Sequence, residues 1–217
     1  MACPDYANTE ARAAVDPVLW DLLHFLEYRM DTTRGNDASG AYLFTETERR
    51  GTPPVTALEP NAQLGSTTTG AAAGKKKKAV DNRDQFEKAL QLDCMHFLRP
   101  SLGRAAHLEA SDVAAGRADI LVELHRTRLV IEVKREDSDA SHDALCKRYG
   151  AQATEYSNTS ARVGFLLVLD RSRTDGSAGH IEEKVSVQTV YKPGDSNART
   201  LVIVVMPGKR KRPSALT

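Results

Sequence analysis

Two apolar runs that contain charged residues constrain the fold of this chain more than any other feature. Residues 116–122 read Gly-Arg-Ala-Asp-Ile-Leu-Val, and residues 129–134 read Leu-Val-Ile-Glu-Val-Lys. Runs this rich in Val, Ile and Leu are typical of buried strands. The polar residues 125–128 between them have about the length of a hairpin connection. We therefore expect two neighbouring antiparallel strands.

The charged residues of these strands are expected to converge. Because side chains alternate across a strand, Glu132 and Lys134 project from the same face. The hairpin brings Asp119 of the first strand beside them. Burying charge costs free energy unless the charge is paired or bound to a metal, so two carboxylates and one ammonium in such strands require an explanation.

Two explanations are open from the residues alone. In the first, Glu132 and Lys134 point to solvent on a half-exposed antiparallel strand. In the second, Asp119 and Glu132 supply oxygen ligands to Mg²⁺, which takes one or two carboxylates together with waters and substrate phosphate. Lys134 would then orient or help to deprotonate the attacking water, or neutralise charge that develops on the phosphate.

The two runs resemble the motif of the PD-(D/E)xK nuclease superfamily, whose members share the restriction-endonuclease-like fold. Residues 116–119 and 131–134 carry the resemblance, with Ala118-Asp119 where the family name has Pro-Asp. The resemblance implies an α/β fold in which a helix, a three-stranded meander, a second helix and a further strand follow in order, with helices flanking a mixed central sheet. Residues 83–170 can be interpreted in that order.

The resemblance implies further residues near the metal. Residues 83–98 have the apolar spacing of a helix that Pro100 ends, and Glu87 lies where many members carry a glutamate close to the metals. A solvated acid on a helix face is the alternative interpretation of Glu87. The main-chain carbonyl of Val133 is implied as one more ligand. The cofactor is accordingly expected to be Mg²⁺ or Mn²⁺.

A second motif follows the charged strand. Residues 138–157 are predicted to form a helix, on which Gln152 and Tyr156 lie one turn apart on one face. The Gln-x-x-x-Tyr spacing resembles the extra motif of the RecB-like branch, where these side chains help to hold the nucleic acid and the catalytic lysine. Packing of Tyr156 on the sheet and a surface position for Gln152 are the alternative.

Basic residues are expected to bind phosphate without reading sequence. The formal charge of +1 means that affinity for nucleic acid depends on local clusters. The candidates are Lys75, Lys76, Lys77, Lys78, Lys147 and Arg148, together with the basic run at residues 209–212. Solubilising tails, a nuclear-localisation-like run and an ordinary solvated helix face are the alternatives.

Several classes of protein are disfavoured. The three cysteines are widely spaced and the six histidines form no HExxH pair, which argues against a disulfide framework, a zinc site and a metalloprotease. The sequence has no phosphate-binding glycine loop, no run of about 20 apolar residues and no leader-like N-terminus. We expect a cytoplasmic protein that does not enter membranes.

The rest of the chain extends this core. Residues 15–30 are predicted to form an amphipathic helix with Pro17 in its first turn; its apolar stripe could pack on the core, form a homodimer or bind another protein. Late strands are expected at residues 185–191 and 201–206. The predicted divisions are a helical N-terminal appendage (1–60), a flexible basic linker (61–80), the nuclease-like domain (81–207) and a basic tail (208–217).

The sequence therefore predicts a metal-dependent nuclease that hydrolyses phosphodiester bonds with an activated water. DNA is favoured as the substrate because most members of the resembled family act on it. Three alternatives remain: a nuclease-like module that binds nucleic acid or protein without cutting, an RNA-cleaving toxin with the same fold, and an ordinary α/β core with exposed acids.

Overall fold

A six-stranded mixed sheet with helices on both faces forms the centre of the protein. The computed structural model describes residues 4–31, 38–44, 82–113, 116–158, 161–173, 175–191, 194 and 196–211. The helices are α1 (Thr9–Asp31), α2 (Asn82–Leu102) and α3 (His142–Ala153). The strands are β1 (Ala106–Val113), β2 (Gly116–Leu124), β3 (Thr127–Glu136), β4 (Val163–Asp170), β5 (Val185–Val190) and β6 (Arg199–Pro207). The expected α/β class is confirmed.

The sheet has the order β1-β2-β3-β4-β6-β5. Strands β1, β2 and β3 form an antiparallel meander, β3, β4 and β6 run parallel, and β5 pairs antiparallel with β6. Helix α2 precedes the meander and α3 connects β3 to β4. The succession expected for residues 83–170 is therefore present, and the two late strands add to the sheet as predicted.

The β2–β3 connection is tighter than the sequence indicated. Only His125 and Arg126 lie between the paired residues Leu124 and Thr127. Both turn residues have positive φ, 48° and 62°. Two-residue turns with this geometry match the right-handed twist of paired strands, which explains why non-glycine residues adopt it here.

The two faces of the sheet have separate cores. On one face, α1 and α2 pack against the sheet in a cluster that includes the fully buried Leu22, Leu90 and Phe165. On the opposite face, Leu145 of α3 packs against Leu166 and other residues of β4 and β6. Strand β4 is buried on both faces, as its unbroken apolar sequence predicts.

Helix α1 packs on the core, one of the three partners that the sequence left open. Its buried residues belong to the same cluster as the sheet. Arg29 of α1 and Tyr42 both donate to the buried carboxylate of Asp93 in α2. The described parts of the predicted divisions 1–60 and 81–207 thus share one core. The predicted linker at 61–80 lies outside the described residues.

Helix α1 begins earlier than predicted. It starts at Thr9 rather than residue 15, because Asn8 caps it: the Glu10 amide donates to the Asn8 side chain at 2.9 Å. Pro17 consequently lies inside the helix and not in its first turn. The carbonyl that loses its donor to the proline belongs to Ala13, which is exposed, so water can satisfy it.

Helix α2 continues through the proline that was predicted to end it. It runs to Leu102 with Pro100 inside its last turn. The carbonyl four residues earlier belongs to the exposed His96, where solvent can replace the missing donor. Within the described residues, no helix is both long and apolar enough to cross a membrane.

The contact between α3 and β4 predicts a specific response to substitution. A methyl group at Gly164 would collide with the Ala153 carbonyl at the end of α3. We expect Gly164→Ala to lower the free energy of unfolding by roughly 1–3 kcal/mol, because backbone must shift. Urea denaturation measures this change.

Gly150→Ala is the matched control on the same helix, at a position that faces β5 and β6. Its added methyl would meet a movable Val190 methyl at 3.2 Å, and alanine favours the helix by up to about 1 kcal/mol. A near-neutral effect is expected. Equal losses in the two variants would contradict a specific backbone contact at Gly164.

Candidate active site

Strands β2 and β3 separate where the charged residues lie. Their last register pair in this direction is Ile120 with Ile131. Beyond it, the Val133 amide donates to Asp119 Oδ2 at 2.8 Å, and the Arg135 amide donates to Glu87 Oε1 at 3.0 Å. The Asp119 carboxylate of β2 and the Glu87 carboxylate of α2 thus each bind a main-chain amide of β3 through one oxygen.

Asp119, Glu132 and Lys134 converge as predicted. The Lys134 ammonium lies 2.5 Å from Glu132 Oε1 and 4.0 Å from Asp119 Oδ2. Since one ammonium contacts both carboxylates, no apolar layer separates them. Glu132 is only 1% exposed, so the alternative of a solvent-facing strand is wrong for this residue.

Helix α3 covers Glu132 and leaves one of its oxygens without a donor. The Gln152 amide donates to Glu132 Oε1, the same oxygen that Lys134 contacts. The second oxygen, Oε2, is buried and has no hydrogen-bond partner among the described residues. Leaving a buried acceptor unsatisfied costs about 1–3 kcal/mol. Within the described residues, no hydrogen bond offsets the cost of burying this oxygen.

The charges of the cluster are coupled. Burial raises the pKa of Glu132, the hydrogen bond from Lys134 opposes this change, and the Asp119 carboxylate adds to it. Burial lowers the pKa of Lys134, but the hydrogen bond to Glu132 and the nearby carboxylates outweigh burial and raise it overall. Lys134 is consequently an ammonium at neutral pH. Three carboxylates, including that of Glu87, face this single cation.

Asp119, Glu132 and Val133 fit a hard divalent cation. In the part of the chain that the structure describes, no group of three His, Cys, Asp or Glu side chains forms a ready-made metal cage. Mg²⁺ needs only one or two carboxylates, since waters and substrate complete its shell. The Val133 N–H points to Asp119, and the carbonyl of a strand residue points to the same edge as its N–H. Glu87 binds the neighbouring Arg135 amide instead.

The start of α3 differs from the prediction because of Glu136. Burial raises the pKa of Glu136, but hydrogen bonds from Ser138 and Arg148 outweigh burial and lower this pKa to about 2. The amides of Ser138 and Asp139 and the Ser138 hydroxyl all donate to this carboxylate. Residues 138–141 therefore form a loop held by Glu136, and the helix begins at His142 rather than residue 138.

The end of α3 also differs from the prediction. The helix stops at Ala153, and Arg199 of β6 donates to the Thr154 carbonyl at 2.7 Å. Tyr156 follows in a separate 3-10 turn, Glu155–Asn158, and its side chain lies outside the described residues. The prediction that Gln152 and Tyr156 share one helix face is wrong, whereas Gln152 does reach Glu132. The role of Tyr156 stays a prediction.

The predicted phosphate-binding residues have different surroundings. Lys147 is exposed on α3. Arg148 pairs with Glu136 and lies over the Tyr149 ring, so it also anchors the 138–141 loop. In the basic run near the C-terminus, Arg210 donates to the carbonyls of Arg29 and Met30, which gives it a structural role. Lys75, Lys76, Lys77, Lys78 and Arg212 lie outside the described residues.

Two residues at the site were missed by the sequence interpretation. Gln91 of α2 is buried and donates to the main-chain carbonyl of Asp119 at 2.7 Å. Glu136 organises the loop before α3. The sequence signal for Gln91 was its polar side chain one helical turn after Glu87, on a helix face that is otherwise apolar.

The chain was compared with protein-family models, with curated proteins and with solved structures, and none of the three comparisons gave a match. The functional interpretation therefore depends on the residues and geometry of this chain.

Removing the Glu136 carboxylate tests its role in holding the 138–141 loop. We expect Glu136→Gln to destabilise the protein at neutral pH by on the order of 3 kcal/mol, because Arg148 and the loop amides lose hydrogen bonds to a buried charged acceptor. The folded-state pKa lies near 2 against an ordinary 4.5, so this contribution is complete above pH 4.5 and is lost as pH falls towards 2. Denaturant unfolding of both proteins at several pH values measures it.

Glu123→Gln is the control, because it removes an exposed carboxylate of the same sheet whose pair with Arg128 contributes at most about 1 kcal/mol. A difference between wild type and Glu136→Gln that stayed constant from neutral pH to pH 2 would contradict the assigned role of Glu136.

Proposed function

We propose that this protein is a metal-dependent nuclease with a restriction-endonuclease-like core. The observation that carries the proposal is the convergence of Asp119 and Glu132 on one ammonium at the point where β2 and β3 separate. Each carboxylate has one oxygen bound by the protein, and Glu132 Oε2 is buried without a donor. A divalent cation would bind the remaining oxygens of the Asp119 and Glu132 carboxylates.

The succession of elements supports the same assignment. Helix α2, the β1–β3 meander, α3 and β4 follow in the order that the resembled superfamily implies. The motif residues lie on β2 and β3, and Glu87 comes from the preceding helix. The order agrees element by element, although an α/β sheet alone does not define a family.

Asp119, Glu132 and the Val133 carbonyl would hold Mg²⁺ or Mn²⁺. When bound, such an ion acts as a Lewis acid and makes water a stronger nucleophile near neutral pH. The chain itself supplies the orientation: the Val133 amide fixes the Asp119 carboxylate, and Gln152 fixes that of Glu132. Glu87 remains a candidate second ligand that borders this set.

Lys134 would act as a fixed positive charge. Its raised pKa keeps the side chain protonated, which suits it to orient the attacking water or to neutralise charge developing on the scissile phosphate. Deprotonation of the water by Lys134 would first require the ammonium to lose a proton, which its hydrogen bond to Glu132 opposes. Gln152 donates to the same Glu132 oxygen as Lys134 does, and it would keep the carboxylate in place beside the lysine.

The proposed substrate is DNA, with the phosphodiester as the reacting group. The exposed Lys147 on α3 is a candidate phosphate contact on the side of the sheet that carries Gln152. Cleavage of RNA by the same residues is the alternative substrate class. Paired assays on both nucleic acids distinguish them.

Metal binding can be measured independently of cleavage. We expect Mn²⁺ to stabilise the protein by RT ln(1 + [L]/Kd), about 2.7 kcal/mol at 100 times Kd, since only the folded chain assembles the site. Chelation should remove the gain. Thermal unfolding with and without Mn²⁺ measures it, and Asp119→Asn should lose the increment whereas Glu123→Gln should keep it.

Cleavage assays test the reaction. We expect metal-dependent cutting of plasmid or single-stranded DNA, reduced at least ~100-fold in Asp119→Asn, Glu132→Gln and Lys134→Met, because each removes a charge that acts on the reacting phosphate or the ion. Glu123→Gln is the control for loss of one exposed charge, and it should not abolish cleavage.

Two results would contradict the proposal. If the wild-type protein binds nucleic acid but cuts neither DNA nor RNA with Mg²⁺ or Mn²⁺, the chain is a binding module. If cutting survives in all three site variants, or is unchanged by chelation, the activity lies elsewhere.

A further inference from the structure

Gln91 is a buried polar residue that the proposed reaction does not use directly. It lies on α2 and is only 6% exposed. Its side-chain amide donates to the main-chain carbonyl of Asp119 at 2.7 Å. A buried amide of this kind restricts the group that it binds, because breaking the bond leaves a desolvated acceptor.

The Asp119 main chain has a particular need for such a contact. On the side of β3, the register ends at Ile120 with Ile131, so Asp119 lies one residue beyond the last pair. Its carboxylate already crosses the gap to the Val133 amide. Strand β1 holds β2 at Ala118 and Ile120, and on the side of β3 Asp119 has two further contacts, one through its side chain and one through its carbonyl.

One face of α2 contacts both separating strands. Gln91 and Glu87 are four residues apart, which places them one turn apart on the same side of the helix. Gln91 binds Asp119 of β2, and Glu87 binds the Arg135 amide of β3. Helix α2 thus bridges the strands where their main chains no longer pair with each other.

We infer that Gln91 is a positioning residue that holds Asp119 at the distance from Glu132 that a divalent ion requires. It acts through the Asp119 carbonyl, with Glu87 as the second contact of the same helix face. The inference rests on the proposed function. A purely structural role for Gln91 would affect global stability alone, whereas a positioning role also affects the local Val133 amide and metal affinity.

Gln91→Met is the principal test, because methionine has a similar size but donates no hydrogen bond. Gln85→Met makes the same change at an exposed position of the same helix and is the matched control. Gln91→Asn is a second variant that keeps the amide but shortens its reach. Three measurements are compared with wild type: amide hydrogen exchange by NMR, Mn²⁺ affinity by EPR, and the kcat and KM of DNA cleavage.

Local loosening is expected in both Gln91 variants. Protection of the Val133 amide should fall about tenfold or more, while that of Leu167 in the centre of β4 changes only as global stability does. Mn²⁺ affinity should weaken roughly 10–100-fold, as is usual when a residue that supports a metal ligand is lost. The kcat should fall with little change in KM. Gln85→Met should match wild type in all three measurements.

Unchanged Val133 protection in folded Gln91→Met and Gln91→Asn, relative to Leu167, would overturn the inference. Wild-type Mn²⁺ affinity in these variants would overturn it as well. A wild-type protein that binds no Mn²⁺ and cuts no nucleic acid would instead overturn the proposed function, and with it the metal-directed role of Gln91. The exchange of Val133 would then report only whether Gln91 fixes the main chain.

Discussion

The hydrogen bond from the Val133 amide to the Asp119 carboxylate is the contact on which the site depends. It forms where β2 and β3 cease to pair, and it replaces a strand carbonyl by a side-chain oxygen. The Asp119 carboxylate therefore lies beside β3, the strand that also carries Glu132. The strands separate at the place where we propose that a divalent cation binds.

The site carries an energetic cost that the rest of the fold must offset. Glu132 is almost completely buried, one of its oxygens has no donor, and burial raises its pKa. Such groups destabilise a folded chain unless they are bound, and folded proteins retain them mainly at functional sites. Helix α3 maintains the arrangement because Glu136 fixes its start and Gly164 allows its end to approach β4 closely.

Alternation and apolar spacing were sufficient to predict β2, β3, β5 and β6 and the convergence of Asp119, Glu132 and Lys134, whereas β1 was expected only from the family resemblance. The ends of the helices could not be predicted in the same way. Asn8 caps α1 before its apolar stripe begins. The Glu136 carboxylate accepts hydrogen bonds from residues that were expected to start α3, so that they form a loop instead. These effects depend on individual hydrogen bonds rather than on periodicity. The contact of Gln91 with Asp119 joins residues 28 apart in sequence and is set by the packing of α2 on the sheet.

The central claim is that Asp119 and Glu132 bind one divalent cation. A crystal structure of the protein grown with Mn²⁺, with anomalous scattering used to locate the metal, tests it most directly. The account predicts a manganese peak that lies about 2.1 Å from an oxygen of each carboxylate, since hard divalent ions bind oxygen ligands near that distance. A fully occupied manganese site elsewhere, or none at saturating Mn²⁺, would contradict it.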